Sequence, residues 1–229
     1  MNNPAFADSF RFIHTTFKDN EELDESIKKM MLSRATIDDN YRRVYVEGEM
    51  GRLEGLVFTE WQQIDVIPEV KGRERFGLDF GYTNDPSVLV RVVESQEAFY
   101  IDEIFYQAGL TNRNIAAMLE SNGLKKNYDE IIADSAEPKS IDEIRIFGYN
   151  VKPSVKGKDS INAGIDKLKS KKIFITKRST NLIKEFRNYS WATDKEGKTT
   201  NKPIDAFNHG IDAARYALSL KQQSEIFIL

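Results

Sequence analysis

The 229-residue sequence has no cysteine. That absence excludes disulfides, thiolate chemistry and cysteine-ligated zinc, and makes a reducing interior the natural compartment. No stretch approaches the roughly 20 consecutive apolar residues that a membrane span needs, so no membrane partner is expected. The N-terminal run from Met1 to Phe12 lacks the basic flank and apolar core of a secretory signal. There is no internal repeat. There is also no G-x-x-x-x-G-K-[ST] phosphate loop, so ATP-driven work by that device cannot be assigned to these residues.

What is present suits one sizeable domain, alone or with a smaller appendage. A hydrophobic content of 40% can bury a core, and 30% charged residues give a well-hydrated surface. The formal net charge is −3 but is unevenly spread. Residues 151–202 hold 14 Lys/Arg against 5 Asp/Glu, a local net of +9. A basic segment in an acidic chain is the footprint of a surface that faces phosphates, or else of a solvated lysine-rich face.

Residues 1–70 read as an appendage or linker. A helical pattern begins at Asn20 and passes through Ile27, Met30 and Met31; a second short helix is expected over Asp38–Val46. Leu56–Phe58 and Val66–Pro68 look extended. The main domain, residues 71–229, opens with three predicted strands at Phe76–Tyr82, Ser87–Val93 and Ala98–Phe105, and the short links between them imply an antiparallel meander. Thr111 caps the next helix. Glu130–Asp134 reads as a strand buried on both faces. Helices and strands then alternate: a helix from Pro138, a strand at Asn150–Ser154, a helix over Asp159–Lys169, a strand at Ile173–Ile175, a helix over Asn181–Asn188, a hairpin through Gly197 and a last helix from Asn208 to about Gln222. This order points to an α/β fold with a mixed sheet.

Three carboxylates stand out. In Phe76-Gly77-Leu78-Asp79-Phe80-Gly81-Tyr82 the period-2 alternation sends Phe76, Leu78, Phe80 and Tyr82 to a core face and Gly77, Asp79 and Gly81 to the other. Glycines beside Asp79 leave space for a metal ion and a phosphodiester, or else mark a bulge or a close backbone approach. Asp134 closes an apolar strand, where ligands of open α/β sheets bind, although it could equally cap the helix that follows. Asp212 lies in the first turn of the last helix, with Asn208 as the N-cap and His209 three residues before Asp212 on the same face. Convergent carboxylates repel one another unless cations sit between them. Hard oxygen ligands select Mg²⁺ or Mn²⁺, and two such ions roughly 3.5–4 Å apart are a known device for phosphodiester cleavage.

With these residues assembled, the sequence resembles the C-terminal nuclease domain of the large terminase subunit of tailed bacteriophages. The resemblance rests on Gly77–Tyr82 with Asp85-Pro86, on Ala133–Pro138, and on Asn208–Tyr216, and it covers roughly residues 70–222. Tyr189-Ser190-Trp191 and Asp194–Pro203 look like the hairpin that precedes the last helix of that family. The resemblance implies an RNase H-like fold, a central mixed β-sheet flanked by helices. It implies an endonuclease using two Mg²⁺ or Mn²⁺ ions to cut concatemeric double-stranded viral DNA during packaging, in the host cytoplasm. Asp79, Asp134 and Asp212 would be the metal ligands, His209 a histidine near the metals, and Asp85 an assisting acid. Lys156 and Lys158 are expected to grip DNA phosphates, and such contacts carry no base information. The implied partners are the portal protein, the small terminase subunit and an N-terminal packaging ATPase domain, with residues 1–70 as the tail end of that domain or its linker.

Other readings are weaker. Asp79-Phe80-Gly81 matches the kinase Asp-Phe-Gly, but no glycine-rich loop or His-Arg-Asp loop accompanies it. An actin-like ATPase uses a similar strand-hairpin element in a duplicated domain, and 229 residues leave little room for the duplicate. An inert assembly module would have no use for the Asp triad.

Overall fold

The computed structural model describes residues 15–36, 41–48, 55–81, 84–155, 157, 159–194 and 196–219. The chain divides into two units, one of Met1–Gly55 with Thr193–Thr200 and one of Leu56–Ala192 with Asn201–Leu229. The first contains α1 (Glu25–Ala35), begun by Asp24, whose carboxylate accepts the Ser26 N–H. A short π-helical turn spans Arg42–Val46. It falls inside the second short helix expected here, and residues 37–40 lie outside the described residues.

The second unit is built on seven strands: β1 (Gln62–Ile64), β2 (Arg73–Asp79), β3 (Pro86–Glu94), β4 (Ala98–Ala108), β5 (Glu130–Ala133), β6 (Asn150–Pro153) and β7 (Lys172–Thr176). Their order in the sheet is β1-β7-β4-β3-β2-β5-β6. β3 pairs antiparallel with both neighbours while the other pairings are parallel. The meander expected from the short links is therefore present, in a mixed sheet. Because β2 and β5 run the same way, their carboxyl ends open on one edge of the layer. The helices are α2 (Asn112–Ser121), α3 (Pro138–Ile146), α4 (Ser160–Lys169), α5 (Thr180–Asn188) and α6 (His209–Ala217), with a small β8 (Trp191–Thr193) and β9 (Thr199–Pro203) pair before α6. Thr111 caps α2 in a capping box with Asn114, as its sequence position suggested.

Strand alternation sorts the core into two layers. Phe76, Leu78, Ile131 and Ala133 face α2 and α3, packing with Ile115, Leu119, Ile141 and Ile144. Val88, Val90, Val92, Phe99 and Ile101 face the other side, with Ile165, Leu182, Phe186, Ile211 and Ala214 of α4, α5 and α6. A bulge in the β3–β4 ladder lets Glu103 pair with Val90 but Phe105 with Leu89. The extra residue turns Tyr106, rather than Phe105, onto the α5–α6 face.

Two local expectations differ. Val66–Pro68 forms no strand, and Leu56 makes only a single bridge, to Ser190. The last helix ends at Ala217, short of the expected Gln222; residues 220–229 lie outside the described residues.

Candidate functional site

The three aspartates come to the same end of the sheet. Asp79 is the last residue of β2, and Asp134 directly follows β5, where the Leu78–Ala133 register continues as an Asp134 N–H bond to the Leu78 carbonyl at 3.3 Å. Alternation gives both the same face. Ile131 and Ala133 point to the α2–α3 layer, so Asp134, like Asp79, points to the side where α6 lies. Asp134 does not cap α3: Glu137 holds the N-cap position, and Asp134 Oδ1 accepts the Ala136 N–H at 2.9 Å within the connecting turn.

α6 brings the third carboxylate. The helix crosses β2 with its small residues Ala213 and Ala217 against the strand, and Gly77 makes the approach possible. A Cβ at Gly77 would lie 1.8 Å from the Ala213 carbonyl oxygen, and one at Gly81 would lie 2.1 Å from the Asp85 carbonyl oxygen. The glycines beside Asp79 therefore do not open space for a metal and a phosphate. They are filled by backbone, which is the close-approach alternative. Asn208 occupies the N-cap position of α6 but makes no side-chain cap bond; its amide donates to Asp205 at 3.4 Å.

His209 and Asp212 lie one turn apart on α6. An ionised carboxylate only accepts, so His209 Nδ1 carries a proton that it donates to Asp79 Oδ2 at 3.2 Å. That bond, with the Asp79 charge, raises the His209 pKa above the ordinary histidine value; the charge of Asp85 acts in the same direction. Asp85 itself is exposed in the turn before β3. Burial raises the Asp79 carboxyl above its usual range, against the bond from His209, and the charge of Asp134 adds to the rise. Burial pushes Asp212 up to about 6, with Arg215 opposing and the charge of Asp79 adding. The Tyr216 phenol is raised by burial and then by Asp79, Asp212 and Asp134 together, which puts it in the field of all three.

Asp212 is bonded to Arg215. Asp79, Asp134 and Asp212 are thus neighbours that act on one another electrostatically, but they are not closed into a ligand shell. Among the described residues, no three His, Cys, Asp or Glu side chains converge as a set ready to hold an ion. The donor chemistry nonetheless fits a hard divalent cation: the carboxylates supply oxygen, and burial raises two of them above the usual carboxylate range, a cost that a bound cation offsets.

A cavity of about 480 Å³ opens beside Asp212, lined by Gly157, Ser160, Asn162, Asn208 and Lys202 among others. A larger cleft of about 850 Å³ lies elsewhere, between Trp61, Lys169, Lys172 and Phe174, and touches none of the aspartates. Lys156 and Lys158 lie outside the described residues. Elsewhere in the basic segment, Lys167 and Lys171 pair with Glu94, and Lys152 pairs with Glu130. Those carboxylates lie at the opposite end of the sheet from the aspartates. Arg215, Tyr106 and Glu185 carry roles around the site that the sequence reading did not assign.

Residues 79–220 match the family described as "Terminase RNAseH like domain". The large terminase subunit of Bacillus phage SPP1 is 31% identical over 94% of this chain and 53% of its own length. The chain spans about half the length of the curated relatives it matches. The nuclease domain of the SPP1 large terminase, solved with bound Mn, is 31% identical, with a TM-score of 0.63 over 70% of this chain and 96% of that one. The large terminase nuclease of thermophilic phage G20c, solved with bound magnesium, shares the fold at 15% identity, with a TM-score of 0.53 over 72% of this chain and 97% of that one. The expected fold, an RNase H-like mixed sheet flanked by helices, is the one observed.

Proposed function

The chain belongs to the terminase RNase H-like domain family, and from that premise we propose that it is a divalent-metal-dependent endonuclease that cuts concatemeric double-stranded viral DNA during genome packaging. One observation carries the reading. Asp79 and Asp134 stand side by side at two strand ends, with His209 and Asp212 of α6 brought against them. The manganese bound to the SPP1 nuclease domain supports the metal dependence.

In this reading Asp79, Asp134 and Asp212 hold two Mg²⁺ or Mn²⁺ ions, which when bound supply an activated water and charge neutralisation at the leaving oxygen. The protein's own residues do the rest. Asp79 fixes the His209 ring through Nδ1, which leaves Nε2 to meet a water or a phosphate oxygen. The bond to Asp79 raises the His209 pKa and so favours the protonated imidazole, which can donate to an anionic oxygen. Asp85 supports the imidazolium charge from the turn before β3. Lys156 and Lys158 follow β6, whose carboxyl end lies on the same edge of the sheet, and are proposed to contact DNA phosphates. Contacts of that kind make cutting largely independent of sequence and sensitive to salt.

The portal protein, the small terminase subunit and a packaging ATPase domain joined through residues 1–70 are the partners this role requires, with the host cytoplasm as its place. Among the described residues, no helix is long and apolar enough to cross a membrane. The test is plasmid digestion with Mn²⁺, with and without chelator, for the wild type and Asp79→Ala. Chelator-sensitive nicking by the wild type alone is expected; equal cutting by both proteins would remove Asp79 from the site.

A further inference from the structure

The first N–H groups of a helix need acceptors from outside it, and α6 has no side-chain cap of its own. Its acceptor comes from the neighbouring helix. Glu185 of α5, only 2% exposed, accepts the Ile211 N–H through Oε2 at 3.0 Å, and the Gly210 N–H also bonds to its carboxylate. Oε1 accepts the Tyr106 hydroxyl at 3.0 Å. The Tyr106 ring stands edge-on to His209, centroids 6.4 Å apart at 84°.

α5 is held in the same manner. Ser179 at its N-cap makes no side-chain cap bond. Glu103 of β4 instead accepts the Leu182 N–H and the Asn181 amide, both at 2.7 Å. The sheet thus anchors α5 through Glu103, and α5 anchors α6 through Glu185. A carboxylate sunk among Leu182, Phe186 and Ile211 costs desolvation, and burial pushes it up to about 7. Among the described residues, its carboxylate bonds to the first turn of α6 and to the tyrosine that touches His209.

The geometry points to Glu185 as the positioning residue of the nuclease site: by anchoring the first turn of α6 it fixes where His209 and Asp212 stand relative to Asp79. The inference rests on the nuclease reading above, because the placement of those side chains matters to turnover only if they act. A merely structural role would lower stability and leave kcat and KM of the folded protein unchanged.

The test uses the full chain with Mn²⁺ and plasmid DNA, together with hydrogen exchange of the α6 amides. Glu185→Leu removes the acceptors while keeping an apolar fit; kcat is expected to fall about tenfold or more, as small misplacements of catalytic groups do, with KM unchanged and faster exchange at Ile211. Glu185→Gln keeps an acceptor oxygen and is expected to recover most of the turnover. A Leu variant with wild-type kcat and wild-type protection overturns the inference. If that variant does not fold, Tyr106→Phe, which deletes one bond to Glu185, takes its place: a lower kcat at constant KM supports the role and an unchanged kcat overturns it. A wild type that does not cut at all overturns the nuclease reading instead, while the exchange data still report whether Glu185 anchors α6.

Discussion

Arg215 holds the carboxylate of Asp212 from one turn further along α6, and it can lie there because residue 164 is a glycine. A Cβ on Gly164 of α4 would sit 2.7 Å from Arg215 Nε and 3.0 Å from its Cγ. The guanidinium is thereby pressed between two helices, 7% exposed, and paired with Asp212. It is a built-in counter-charge at the carboxylate that the proposed mechanism assigns to a metal.

A divalent ion at Asp212 must therefore compete with Arg215. Replacing it by Gln should weaken the chelated protein by about 3 kcal/mol, as breaking a buried pair from one side does. The same change should tighten Mn²⁺ binding by about tenfold, or roughly 1.4 kcal/mol. Calorimetric titration with Mn²⁺ checks the second effect, and equal affinity in both proteins would show that Arg215 does not compete.

The Gly77 contact makes a steric prediction. An alanine there drives its methyl into the Ala213 carbonyl, so α6 must shift, and overpacking of this kind costs about 1–3 kcal/mol. Gly157→Ala is the control, since nothing lies within 4 Å of a Cβ there; its effect should stay within about 0.5 kcal/mol. Urea denaturation measures both. Equal stability of the two variants would mean that Gly77 does not set the helix–strand distance.

The contrast between Gly77 and Asp79 shows which features can be read from one strand. Alternation with period 2 puts both residues on one face whatever lies opposite, so the face of Asp79 was legible. What fills that face is contributed by Ala213, more than 130 positions later, and the pattern around Gly77 could not distinguish an open pocket from a helix backbone. Asn208 occupies the cap position without a side-chain cap bond: propensity names a residue that can cap, while here its side-chain NH2 donates to Asp205. Glu185 left no signal, because a glutamate between Lys184 and Phe186 reads as a solvated charge on an amphipathic helix. Its partners Tyr106 and Ile211 are 79 and 26 positions away. Strand and helix patterns singled out the aspartates and His209, and the family resemblance implied their roles, whereas the groups packed around them emerge only from the fold.

Stability should fall as pH rises from about 4.5 to about 7 in chelator. Glu185 titrates at 4.5 when unfolded and near 7 when folded, so in that window the folded state binds the extra proton, and raising the pH removes its advantage. The size is on the order of 3 kcal/mol, at 1.36 kcal/mol per unit. Asp212, also raised, and His209, raised by its bond to Asp79, add in the same direction. Melting temperatures of the wild type and Glu185→Gln across this range test the assignment: the Gln variant should show a visibly flatter profile, and superimposable profiles would exclude Glu185 as the source.

Asp79→Asn separates what the site does from what the fold needs. Burial, the largest influence, and the charge of Asp134 work against an ionised Asp79, while the bond from His209 and the charges of His209 and Arg215 favour it without overcoming the burial. Asparagine keeps an acceptor oxygen for His209 Nδ1–H and removes the charge. In chelator the variant should therefore be at least as stable as the wild type, where an ordinary destabilising substitution would cost about 1 kcal/mol. Cutting should fall by about a hundredfold or more, the scale on which loss of one preorganised charge acts. The stabilising effect of added Mn²⁺ should shrink along with it, because a ligand that binds only the folded state raises its stability in proportion to occupancy. Thermal melts with chelator and with Mn²⁺, beside plasmid nicking, read all three quantities on one pair of proteins. A variant that loses stability and keeps cutting would mark Asp79 as a structural acid of β2 and move the chemistry to Asp134 and Asp212.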